Sequence, residues 1–143
     1  MAHSVGRPVE KVTLVSAQLQ TGGSRLGACK VQKGRRKASR DGLEDEVMIL
    51  LSGMVAESHF TRRYSPGGAA QDLRQAQRLL ADRAGSERQL ERLLTRILKK
   101  TEHALAEPVA VDAIASIATE LYEKETLSGR AVRQLMQEAA QRH

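Results

Sequence analysis

From Leu43 onward, apolar residues recur at i, i+3 and i+4, and this spacing constrains the fold more than any other feature of the sequence. The first run is Leu43, Val47, Leu50, Leu51, Met54 and Val55, which predicts a helix from about Leu43 to Phe60. Asp41 and Glu44 have the spacing of a capping box at its start. Tyr64-Ser65-Pro66-Gly67-Gly68 breaks the run, because proline lacks a donor and glycine tolerates positive φ. A second helix is expected from about Ala69 to Ala84, with Leu73, Ala76, Leu79 and Leu80 on one face and Gly85 as its C′ residue. Ser86 and Gln89 form another capping box before Leu90, Leu93, Leu94, Ile97, Leu98 and Leu105, and this third helix stops before Pro108. A fourth is expected from about Val111 to Glu125, with Ile114, Ile117, Ala118 and Leu121 inward. Ser128 can cap a short fifth helix bearing Val132, Leu135 and Met136.

The first forty residues read differently. Val9 to Val15 is rich in valine and threonine, Gly22-Gly23 marks a turn, and Leu26 to Val31 is a candidate partner strand. Residues 1–40 hold nine Lys or Arg against one acid, Glu10, whereas the rest of the chain holds fourteen against sixteen. The expected organisation is therefore a basic N-terminal arm with a hairpin, 1–40, and a helical domain, 41–143. The fold class is mainly α: a bundle of about five helices with a small N-terminal β-hairpin.

Composition narrows the function. Apolar residues are 41% and charged residues 28% of 143, the balance of a globular domain rather than a disordered one. No run approaches the roughly 20 apolar residues of a membrane span, and no secretory signal is visible, so a cytoplasmic setting is expected. The lone Cys29 excludes an intramolecular disulfide and an all-cysteine zinc site. Aromatics are only 2%, which argues against modules that stack bases on aromatic rings.

Catalytic signatures are sparse. The Gly-rich stretch Gly22 to Lys30 does not match a phosphate-binding P-loop, so no ATP site is expected. There is no G-x-S-x-G elbow. The histidines at 3, 59, 103 and 143 are scattered and none belongs to an H-E-x-x-H, the helical pair that binds zinc while its Glu activates water. Cys29 reads as a small apolar filler before it reads as a nucleophile. His59 has a core or surface role before a metal role, and His103, among Lys99, Lys100 and Glu102, reads as solvated. Lys33 to Arg40 holds five cations in eight residues. Lys33, Arg35, Arg36 and Lys37 are candidate partner-binding residues for phosphates or an acidic surface, set against a plain solvated loop.

Several stretches, taken in order, resemble the peptidase domain of the FtsH-type ATP-dependent zinc metallopeptidases. Met48-Ile49-Leu50-Leu51-Ser52-Gly53-Met54-Val55-Ala56-Glu57 is similar to that family's "ALLLGGRAAEE" helix, and Gly67-Gly68-Ala69-Ala70-Gln71-Asp72-Leu73 to its "TGAANDL". Glu123-Lys124-Glu125-Thr126-Leu127-Ser128-Gly129 is similar to its "EKETLSG". Arg7 to Val15 resembles the strand after the active-site helix, and Arg25-Leu26-Gly27 its "RALG". The resemblance implies a mostly helical peptidase fold. In that family two histidines of H-E-x-x-H and an aspartate hold zinc. Asp72 matches the aspartate, and Glu57 an acidic position near the metal. The resemblance also implies a family activity, ATP-dependent proteolysis. The H-E-x-x-H and the ATPase module are not among these residues. One carboxylate is not a zinc site, and Asp72 has a structural reading as a first-turn helix acid. The expectation is thus a peptidase-like domain without activity or bound cofactor in this chain. The alternative is a non-catalytic protein-interaction module that docks on a partner protein or protease complex, or on itself. Nucleic-acid binding through the basic arm is a third reading.

Overall fold

The computed structural model describes residues 1–15, 17–18, 24–25, 28–31, 42–64 and 66–143. The expectations placed on Gly22-Gly23, on Asp41, on Leu26 and Gly27, and on Lys33, Arg35, Arg36 and Lys37 lie outside them. Elements follow in the order β1 (Val9–Thr13), β2 (Ala17–Gln18), β3 (Ser24–Arg25), β4 (Ala28–Val31), α1 (Gly42–Thr61), α2 (Pro66–Ala81), α3 (Glu87–Ala106), α4 (Pro108–Lys124), β5 (Thr126–Ser128) and α5 (Gly129–Arg142). The protein is mainly helical with a small N-terminal antiparallel strand pair, as the apolar periodicity predicts. The described chain divides into two compact units, one of Met1 and Arg36–Glu107, the other of Ala2–Arg35 and Pro108–His143.

The first unit packs α1, α2 and α3 against one another. Its core is Val47, Met48 and Leu51 of α1, Ala76 and Leu80 of α2, and Ile97 of α3, all buried. All but Met48 come from the spacing read in the sequence, and burying each Leu, Ile, Val or Met contributes about 1.5–3 kcal/mol. Glu44 at the start of α1 ties the bundle at its surface, taking Arg96 at 3.5 Å and also Lys100, both from α3. The buried hydroxyl of Thr101 is satisfied within its own helix, donating to the Ile97 carbonyl at 2.8 Å.

Helix α2 runs three residues earlier than expected at both ends. Pro66 is its first residue, where the missing N–H costs nothing and φ is already helical. The helix stops at Ala81, and the N–H groups of Arg83 and Ala84 both donate to the Leu80 carbonyl. Gly85 is therefore not its C′ residue. Gly85 belongs to the start of α3, where its N–H donates to Gln89 Oε1 at 2.7 Å. Ser86 caps α3 in extended geometry, accepting from the Gln89 N–H at 3.2 Å. Pro108 likewise opens α4, three residues before the expected Val111.

The second unit contains a three-stranded antiparallel sheet in the order β4-β1-β5, with β2 and β3 as a separate short pair. β1 pairs with β4 through Lys11↔Lys30, Val12↔Cys29 and Thr13↔Ala28, with an irregularity between Val9 and Lys11. Glu10 accepts from Lys30 Nζ at 3.0 Å. β5 is a strand the periodicity does not reveal, pairing Lys11↔Ser128, Val12↔Leu127 and Thr13↔Thr126. Leu121, Leu127 and Val132 form the core, with Val12, Ile117, Leu135 and Met136 around it. At the far ends of α4 and α5, Arg142 donates to Asp112 at 2.8 Å and to Ser116 Oγ at 3.1 Å.

The corner between α4 and α5 is built residue by residue. Glu125 leaves the helix with φ 60, its N–H still bonded to the Leu121 carbonyl. Its own carbonyl accepts from the Leu14 N–H at 2.8 Å. Thr13 and Thr126 share a hydroxyl–hydroxyl bond of 2.7 Å across the strands. Ser128 then caps α5, accepting from the Ala131 N–H. Gly129 is buried, and a Cβ there would stand 1.7 Å from the Val9 carbonyl oxygen, so only glycine lets α5 begin against β1.

Candidate functional site

The residues that the family resemblance singles out lie in the three-helix unit. Glu57 sits in the last turns of α1, exposed. Asp72 is half-buried on α2. Because α2 begins at Pro66, Asp72 falls in the second turn, and the first turn holds no acid. The first-turn dipole benefit expected for Asp72 is therefore absent, since the effect fades beyond that turn.

The fit to zinc is poor. A catalytic zinc takes about three protein ligands. Among the described residues, no three His, Cys, Asp or Glu side chains converge where they could hold a metal ion. His59 is exposed and meets the neighbouring Phe60 ring edge-on, with centroids 5.4 Å apart. His103 is exposed and lies 3.6 Å from Glu107, the residue at the C-terminal cap of α3. His143 lies 3.4 Å from Asp112. The donors are spread over both units, each with a local partner or solvent, so no reaction step through zinc follows from these residues. Cys29 is exposed on β4, where local desolvation pushes its thiol above the ordinary range. That shift opposes a nucleophilic role, which needs the thiolate. The reading of Cys29 as a small apolar filler does not hold either, because the residue is exposed.

One feature of this unit matches no sequence motif. The turn that joins α1 to α2 gathers Phe60, Arg62, Arg63 and Tyr64. Phe60 is 52% exposed and Tyr64 49%. Arg62 is in the left-handed region, φ 57, and its N–H donates to the Ser58 carbonyl at 2.8 Å. Thr61 Oγ1 donates to the Glu57 carbonyl at 2.8 Å and accepts from the Arg63 N–H at 3.3 Å. The Tyr64 hydroxyl donates to Glu102 of α3, and this bond holds its pKa above the usual phenol range. Neither guanidinium has an ion-pair partner among the described residues. The signal in the sequence was composition: the chain has one Phe, two Tyr and no Trp, and two of those three rings flank an arginine pair.

No known protein family matches the chain, and no curated protein is similar to it at a significant level. Among the described residues, no helix is long and apolar enough to cross a membrane.

Proposed function

We propose that this chain is an FtsH-type peptidase-like scaffold which acts by docking on a protein partner and not by cleaving one. The observation that carries the reading is a pairing. Two stretches that separately resemble the family, Arg7 to Val15 and Glu123 to Gly129, are hydrogen-bonded to each other as β1 and β5. Sequence likeness at two distant places is easier to dismiss when the places are unrelated than when they form one substructure. Within it, Leu127 is buried, Ser128 caps a helix and Gly129 tolerates no side chain. The docking half of the reading rests on the donor set. Asp72 is the one residue that matches a metal ligand of the family, and a single carboxylate neither holds catalytic zinc nor activates water. A fold can persist where its chemistry does not, since activity belongs to the site.

The test is incubation of the purified chain with an unfolded, alkylated protein in zinc-containing buffer, followed by mass spectrometry. The expected result is an intact substrate. New fragments that vanish in Asp72→Ala would overturn the reading.

A further inference from the structure

We propose that the corner between α1 and α2, from Phe60 to Tyr64, is the docking site, and that it takes an acidic segment of a partner protein bearing apolar side chains. The inference rests on the docking half of the reading above and adds where and with what.

The argument starts from where the aromatic side chains go. Phenylalanine and tyrosine bury large areas and normally dominate cores. In this protein the core is aliphatic, and all three aromatics are exposed. Two of them lie within five residues, at one turn, with two exposed arginines between them. Aromatic rings beside arginine are the composition of binding hot spots, where rings fill apolar pockets and guanidinium groups engage carboxylates in pairs.

The turn is also held in place before any partner arrives. Arg62 is fixed by its bond to Ser58, Arg63 by Thr61, and Tyr64 by Glu102 on α3. His59 buttresses Phe60 edge-on. Ordering loops and side chains on binding is a main cost of association, and this turn has met part of it in folding.

Charge selects the partner. Glu57 lies one turn before the corner on α1, and Glu102 is already engaged by the Tyr64 hydroxyl. Arg62 and Arg63 remain open, so one or two carboxylates from a partner can pair with them. A nucleic-acid strand presents a continuous line of phosphates and would run over both glutamates. An acidic peptide with leucine-like side chains satisfies the arginines and covers the rings together.

The experiment uses the full chain and a short fluorescein-labelled peptide alternating Glu and Leu, read by fluorescence anisotropy. Its controls are the same peptide with Gln for Glu and a labelled oligothymidine. Salt-sensitive binding of the Glu peptide is expected, with both controls at least about tenfold weaker. Arg62→Gly combined with Arg63→Ala should weaken binding about tenfold, and Phe60→Ser by a similar factor. Glycine at 62 keeps the left-handed turn, so this variant removes the charge without straining the backbone. Arg130→Ala, on the exposed start of α5, should leave binding unchanged. The proposal fails if the Glu peptide does not bind, if the Gln peptide or oligothymidine binds as well, or if the corner variants bind like the parent. Unchanged corner variants would locate docking elsewhere and leave the docking reading standing. Cleavage of the unfolded protein, by contrast, removes that reading whatever the anisotropy shows.

Discussion

At Gly129 a methyl group would enter the carbonyl of Val9, and the contact is with backbone, which cannot swing aside as a long side chain can. Gly129→Ala is therefore expected to lower stability by about 1–3 kcal/mol, the usual range for overpacking, read by urea denaturation. Four residues earlier the opposite substitution helps. Glu125 occupies the left-handed region at φ 60, which costs a residue with a Cβ about 1–2 kcal/mol. Glu125→Gly should raise stability by about 1 kcal/mol, less than that full cost because glycine also loosens the unfolded chain. Asp112 gives a pH signature. The Arg142 guanidinium beside it holds its carboxyl below the usual aspartate range. With the folded value depressed, the pair stabilises the protein above the ordinary value of about 3.9 and is lost as pH falls through the folded value. Asp112→Asn should flatten the acid side of the stability profile, measured by denaturation between about pH 5 and pH 2.

Among the elements, the starts of α1, α3 and α5 were legible and those of α2 and α4 were not, while the helix faces matched apart from positions such as Ala118, expected inward and exposed on α4. Apart from Met48, the α1, α2 and α3 core falls on residues that the 3.6-residue spacing picks out. α2 and α4 depart from expectation in the same way: each begins on a proline that in the sequence alone looks like a breaker or a stop. Proline interrupts a helix interior but suits its first position, and the two cases look alike without the neighbouring backbone. β5 was invisible for another reason. Three residues cannot display a period, and their partner strand begins more than a hundred positions away. The caps are the most local features and were legible: Ser86 and Ser128 each bond the backbone N–H three residues on. Ser86→Ala and Ser128→Ala should each cost about 1 kcal/mol by thermal denaturation. Their effects should add, because the two caps belong to different units and share no partner.

Across the molecule, each unit has its own aliphatic core, and the aromatic side chains stay at the surface. The Asp72 expectation came from resemblance, and periodicity could not have supplied it, because a ligand set is a matter of convergence in space. The corner from Phe60 to Tyr64 was hidden for a related reason: scarcity of aromatics reads as a poor stacking surface until two of the three rings prove to flank one turn. The proposed function is that of a family-like scaffold without the family's metal chemistry. Zinc content per chain tests it most directly, by elemental analysis after dialysis into metal-free buffer. The parent and Asp72→Ala should both hold close to none. About one zinc per chain in the parent, lost in Asp72→Ala, would contradict the claim by showing that Asp72 completes a metal site.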